Sequence, residues 1–259
     1  MPLIAGPDGP IECLVRGSGA PTTVFAHGLA GSIDETRTFG SGVDGTRVFF
    51  HFRGHGATVG GDSPWHYEAV AAELRAVTAT VGATRALGVS LGSGAVLRAA
   101  VSAPSLFDRL VLVLPAAIDQ PRTDPAVARL HHQAELIERR DLTGLAAALV
   151  AELPASVRGR PDVRLWATRQ ARRLSATSVA RALRELPSQH PLDSRDGLAA
   201  VRCPVLLIGQ EDDSAHPAAV ARELAELLPS AEVAIFAGGG LVWSHRAELR
   251  SLVRGFLNG

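Results

Sequence analysis

No lysine occurs in the 259 residues, so every fixed positive charge is an arginine. The richness in Arg, Ala, Gly and Val is a composition bias and carries no function. Charge of neither sign is in surplus, with 26 Lys+Arg against 26 Asp+Glu. That balance speaks against a nucleic-acid or anionic-membrane partner, which would need a basic excess. Cysteine is scarce: Cys13 and Cys203 stand far apart and make no CxxC pair, which argues against a zinc-binding module and suits two buried thiols in a reducing compartment. No run reaches the roughly 18 apolar residues of a membrane span. The first six residues have neither the basic start nor the long apolar stretch of a secretory leader. The expectation is a cytoplasmic protein with no membrane partner.

What is present is core-forming material. Hydrophobic residues make up 46% and charged residues 20%, enough for one large α/β domain with an insertion and too apolar for disorder. Short apolar runs alternate with longer helical patterns, the signature of a mostly parallel sheet covered by helices. Strands are expected over 22–26, 47–52, 85–89, 110–114, 205–208 and 232–236, with 11–16 as an antiparallel edge. Helices are expected over 65–81, 91–103, 217–228 and 245–257. The segment 119–189 breaks the alternation: Val127, Leu130, Ala134 and Ile137 have helical spacing and no convincing strand follows. It reads as a helical insertion, punctuated by Gly159-Arg160-Pro161 and Leu186-Pro187. The chain thus divides into 1–118 and 190–259 as the two parts of one core, with 119–189 as a helical cap.

The run Leu87-Gly88-Val89-Ser90-Leu91-Gly92 places Ser90 between a short apolar strand and a helix, with glycine two residues away on either side. A nucleophilic serine on a tight, strained turn needs this spacing, because side chains at the flanking positions would strike the neighbouring strand and helix. The helix N-terminus then lends positive potential to a developing oxyanion.

Upstream, Val24-Phe25-Ala26-His27-Gly28-Leu29 ends a strand in His-Gly, and Arg53-Gly54-His55-Gly56 follows the next strand. With these motifs in this order, the chain resembles the α/β-hydrolase superfamily over nearly its whole length, in particular its esterase, lactonase and C–C hydrolase branch with a helical cap. The resemblance implies an eight-stranded, mostly parallel sheet flanked by helices. It also implies an oxyanion hole from the backbone N–H groups of Leu29 and Leu91, and a structural role for His27. His51 stands where relatives often carry Asp, and His51 and His55 are expected to support the floor of the site. A metal site built from His51, His55 and His66 lacks any supporting Asp/Glu spacing, so no metal or cofactor is expected.

The acid of the resemblance follows the seventh strand, where Asp212 and Asp213 compete. Counting forward from Gly209 selects Asp212; counting back from His216-Pro217, which opens the next helix, selects Asp213, and the helix start is the firmer anchor. Relatives place the basic histidine in a Gly-His loop after the eighth strand, yet Ala237-Gly238-Gly239-Gly240-Leu241 contains none. His245 lies four residues beyond Leu241, one helical turn away, and is the expected base. His216 is set aside because it sits on the acids' own loop, and His131, His132 and His190 belong to or border the insertion.

The resulting expectation is a cofactor-free serine hydrolase acting on a small-molecule acyl substrate (a carboxylic ester, lactone or related compound) through Ser90, His245 and Asp213 and an acyl-enzyme, as a monomer or homodimer. C–C bond hydrolysis and thioesterase action use the same residues and are the alternatives within the class. The alternative outside it is a non-catalytic, small-ligand-binding member with a degenerate triad, which the misplaced histidine keeps open.

Overall fold

The alternating pattern is realised as one eight-stranded sheet in the computed structural model, which describes residues 1–238 and 240–259, Asp124 by its backbone alone. The strands are β1 (Leu3–Gly6), β2 (Gly9–Arg16), β3 (Thr22–Ala26), β4 (Thr46–Phe50), β5 (Arg85–Val89), β6 (Arg109–Val113), β7 (Val205–Gln210) and β8 (Ala231–Phe236). They lie in the order β1-β2-β4-β3-β5-β6-β7-β8. β1 and β2 run antiparallel to their neighbours and all other pairings are parallel. β1 has no counterpart among the expected strands. Four residues are too few to show a period, and β1 exists because the turn at Pro7 and Asp8 folds it back on β2 with Gly6 opposite Gly9.

Alternate residues of the central strands feed two cores. Val24, Ala26, Leu110, Leu112, Val205 and Leu207 face one layer, with Leu74 and Val77 of α2 (Tyr67–Val81), Val96 and Leu97 of α3 (Leu91–Ser102) and Leu224 of α9 (Ala218–Leu227). Phe25, Leu87, Val111, Val113, Leu206 and Ile208 face the other, with Ile33 of the short α1 (Ile33–Thr36) and Leu249, Val253 and Leu257 of α11 (Arg246–Asn258). Central parallel strands buried on both faces explain why they read as continuous apolar runs. Because β3, β5 and β7 are parallel, the loops after them emerge at one edge of the sheet, where open α/β folds bind ligands.

Between β6 and β7 the chain forms α4 (Asp124–Glu138), α5 (Leu142–Ala151), α6 (Ala155–Arg158), α7 (Pro161–Ser175) and α8 (Val179–Glu185). Prolines open α4 and α7, where a missing N–H costs nothing. Ala134 and Ile137 of α4 and Leu174 of α7 are buried against the main core. A last short helix, α10 (Leu241–Ser244), precedes α11. Cys13 and Cys203 are both free, and burial pushes the Cys13 thiol up to about 12. Among the described residues no helix is long and apolar enough to cross a membrane, and no cluster of His, Cys, Asp and Glu could hold a metal ion.

Candidate active site

Ser90 sits between β5 and α3 with φ 52° and ψ −106°. That positive φ is strained for a residue with a Cβ and is held by its surroundings. The Ser90 N–H donates to Val113 O at 2.9 Å, and the Ser93 hydroxyl lies 2.8 Å from both Gly88 O and Val113 O. Both flanking glycines are obligatory. A Cβ on Gly88 would stand 2.3 Å from Gly92 O, and one on Gly92 would stand 2.3 Å from Ala26 O.

The loop after β3 faces this turn, with the Cβ position of Gly28 only 3.4 Å from the Ser90 Cβ. Three buried imidazoles support the loop. His27 Nε2 accepts from Phe52 N–H at 3.1 Å, His55 Nε2 from Ala30 N–H at 3.1 Å, and His51 Nε2 from Ile33 N–H at 3.1 Å. Each ring must therefore carry its proton on Nδ1, which faces Gly28 O, Arg53 O and the Glu12 carboxylate respectively. Glu12, from the neighbouring strand β2, supplies His51 with a carboxylate partner at 2.7 Å. Burial holds all three histidines below their ordinary range, His55 at about 4. Arg53 lies under the same floor, paired with Glu73 and Asp8 and stacked on Trp65.

The imidazole beside Ser90 belongs to His216. Its Nε2 lies 2.8 Å from the Ser90 Oγ, and its Nδ1 lies 3.0 Å from Asp213 Oδ2. With the Nδ1 proton donated to the carboxylate, Nε2 is left to accept from the serine hydroxyl. Asp213 Oδ1 accepts from the backbone N–H groups of Ala215 at 2.9 Å and of His216 at 3.0 Å. Burial works to raise the Asp213 pKa, but the His216 ring and these N–H groups outweigh it and hold the carboxyl below its usual range.

The local sequence explains this loop. β7 extends to Gln210, two residues past the expected end, and Gln210 bridges to Pro217. Residues 211–216 must therefore turn back within six positions. Asp213 makes the turn, as aspartate does when its side chain bonds N–H groups two and three residues on. This brings the ring of His216 round to the second carboxylate oxygen. Asp212, the other candidate acid, has φ 59°, is exposed, and lies beside Gly238.

His245, the expected base, is not at Ser90, and this reading is corrected. The single turn of α10 followed by α11 carries His245 onto the Phe236 ring, 5.2 Å between centroids, and its Nδ1 lies 3.6 Å from Glu248. Gly239, in the loop where relatives carry the histidine, lies outside the described residues. The missed signal was the Asp-x-x-His spacing of Asp213 and His216. That spacing puts carboxylate and imidazole on one loop, and the turn capped by Asp213 makes the closeness possible.

Leu91 opens α3, so its N–H has no acceptor within the helix. Leu29 N–H has no hydrogen-bond acceptor among the described residues, while the next N–H groups, of Ala30 and Gly31, are both bonded. Two clefts flank the 213–217 loop. One of about 350 Å³ is bounded by Leu153, Pro154 and Arg158 of the insertion and by Asp213, Leu241 and Trp243 of the core. The other, of about 180 Å³, is bounded by Ala116, Ile118, Ala126, Pro217 and Val220.

Residues 21–242 match the family model described as the alpha/beta hydrolase fold. No curated protein matches the chain significantly. Among solved structures, a thermophilic esterase from Thermogutta terrifontis superposes with TM-score 0.81 at 18% identity, covering 99% of this chain and 98% of that one. The enol-lactonase from Burkholderia xenovorans LB400 superposes with TM-score 0.81 at 17% identity over 100% of both chains. A bromoperoxidase from Bacillus anthracis gives 0.80 at 18% identity, covering 100% of this chain and 99% of that one. At these identities the likeness is one of fold.

Proposed function

The chain belongs to the alpha/beta hydrolase fold family, and from that premise we propose that it is a cofactor-free serine hydrolase of small carboxylic esters or lactones. The observation that carries the proposal is the unbroken line from Asp213 through His216 to Ser90, with both contacts at hydrogen-bond distance. Ser90 Oγ attacks the substrate carbonyl carbon while its proton passes to His216 Nε2. Asp213 holds the ring and stabilises the imidazolium without taking the proton. The N–H groups of Leu29 and Leu91 receive the carbonyl oxygen as it becomes an oxyanion. Collapse expels the alcohol, protonated by His216, and leaves an acyl group on Ser90. Water, deprotonated by His216, then releases the acid and restores the serine.

The helical insertion, 119–189, serves in this reading as a cap. Support comes from the larger cleft, which insertion and core residues line together beside Asp213. A partly apolar cleft of this size suits a small acyl group. His216 beside Ser90 gives the serine the imidazole that a non-catalytic, ligand-binding protein would lack.

The test is labelling with a fluorophosphonate, which reacts only with an activated serine, together with hydrolysis of p-nitrophenyl esters and lactones. Wild type is expected to label and turn over, and Ser90→Ala to do neither. An unlabelled, inactive wild type overturns the proposal.

A further inference from the structure

We infer that Gln170 and Arg173, on one face of α7 in the insertion, are positioning residues that hold the oxyanion loop in its working conformation; the inference rests on the serine-hydrolase reading above. The loop 28–33 is held on two sides by groups of opposite polarity. From the sheet side, His55 and His51 accept from the N–H groups of Ala30 and Ile33. From the insertion side, the Arg173 guanidinium donates to Gly31 O at 2.7 Å and to Ala30 O at 2.8 Å, and Gln170 Nε2 donates to Ala30 O at 2.8 Å. Arg173 Nε also donates to Gln170 Oε1 at 3.1 Å, locking the two side chains together. Glu35 Oε1, 3.8 Å from Arg173, faces the same group.

This arrangement matters because of where the bonds fall. Ala30 has φ 59°, a left-handed conformation that a residue with a Cβ keeps only when its neighbours over-determine it. Each of the three peptide groups after Leu29 is bonded: Ala30 N–H to His55, Ala30 O to Gln170 and Arg173, and Gly31 O to Arg173. Leu29 N–H, just before them, has no acceptor among the described residues. A donor aimed at an oxyanion must be held still before the charge develops, since reorganisation at that moment raises the barrier. The planar fork of Arg173, reaching two successive carbonyls, is a geometry that a single ammonium point charge does not reproduce. Gln170 is buried and Arg173 half-buried, so the Gln170 bond to Ala30 O lies out of water, where hydrogen bonds are strongest.

The experiment measures steady-state hydrolysis of p-nitrophenyl acetate and inhibition by phenylboronic acid, whose tetrahedral adduct with the serine places an oxygen at the oxyanion position. Arg173→Met is expected to lower kcat about 10- to 100-fold, somewhat less than the roughly 10²- to 10³-fold cost of deleting an oxyanion donor itself. KM should stay within about threefold, and the boronic acid should bind more weakly by the same factor as kcat falls. Arg173→Lys should recover part of the loss, and Gln170→Leu should lower kcat about 3- to 10-fold by the same argument. A fall in kcat with a matching loss of boronate binding supports the clamp. Unchanged kcat in folded variants, or a rise in KM alone, overturns it. If Arg173→Met does not fold, Gln170→Leu decides by the same criteria. A wild type that neither turns over nor labels with fluorophosphonate removes the hydrolase reading and the clamp together, whereas an active wild type with unaffected variants removes the clamp alone.

Discussion

Asp213 and His216 lie three residues apart on one loop, and the carboxylate bonds both the ring of that histidine and its backbone N–H. One oxygen shapes the turn and the other receives the imidazole. In the proposed mechanism acid and base are thereby built as a single local unit, and the proposed nucleophile, Ser90, stands 126 residues away from His216 in the chain.

Nucleophile and base should fail together. Ser90→Ala is expected to lower kcat on the order of 10⁴-fold or more with the fold intact, and His216→Ala to lower it about as far, since the two act as one unit. His245→Ala should leave kcat within about threefold, an estimate for a side chain that meets Phe236 and Glu248. Kinetics that rank His245 above His216 would refute the assignment.

The two acids should separate cleanly. Asp213→Asn keeps an oxygen for the Ala215 and His216 N–H groups but loses the charge facing the ring. The loss in kcat should approach the roughly 10⁴-fold seen when such an acid becomes an amide. Asp212→Asn, on the exposed side of the loop, should cost under about threefold. Equal effects on kcat would show that the carboxylate of Asp213 is not what orients His216.

Stability should fall as the solution is acidified. The His55 ring is neutral in the fold, with its pKa lowered to about 4 by burial. Between that value and the ordinary one near 6.5, the unfolded chain binds a proton that the native chain does not, so stability is present above pH 6.5 and lost on the way down to about pH 4. The loss from this group is on the order of 3 kcal/mol. His27 and His51, also lowered, add to the same slope. Urea unfolding at pH 7, 6, 5 and 4 measures it. His55→Asn should be less stable at pH 7 but show a shallower decline, and an undiminished slope in that variant would assign the acid sensitivity elsewhere.

Acyl preference should follow the larger cleft. Leu153→Ala cuts back the wall contributed by the insertion and so enlarges the cleft. It is expected to shift the ratio of kcat/KM for hexanoyl over acetyl p-nitrophenyl esters about 10-fold toward the longer chain, the scale of a methylene-sized change in an apolar pocket. An unaltered ratio would mean that the acyl group binds in the other cleft.

The sheet and the elbow were legible because their causes are local. Strands buried on both faces carry short apolar runs such as Val24-Phe25-Ala26 and Ala86-Leu87, and the expected 22–26 and 85–89 match the observed boundaries. Gly88 and Gly92 flank Ser90 because a Cβ at either would collide with backbone, so the strained turn at Ser90 shows in the order of residues. That Asp213 and not Asp212 faces an imidazole was likewise readable from the Pro217 helix start. The identity of the imidazole at Ser90 was not. His216 and His245 are both a few residues from plausible positions, and what separates them is how far β7 runs, where Pro217 bridges back to Gln210, and how α10 and α11 turn His245 onto Phe236. Those are tertiary facts: a side chain's reach depends on the path of the backbone between elements, and that path is set by packing against strands and helices distant in the chain. The hold of Gln170 and Arg173 on Ala30, about 140 residues away, is of the same kind. Sequence determined the parallel strands of the sheet and where the strained serine must stand; packing decided which histidine meets it.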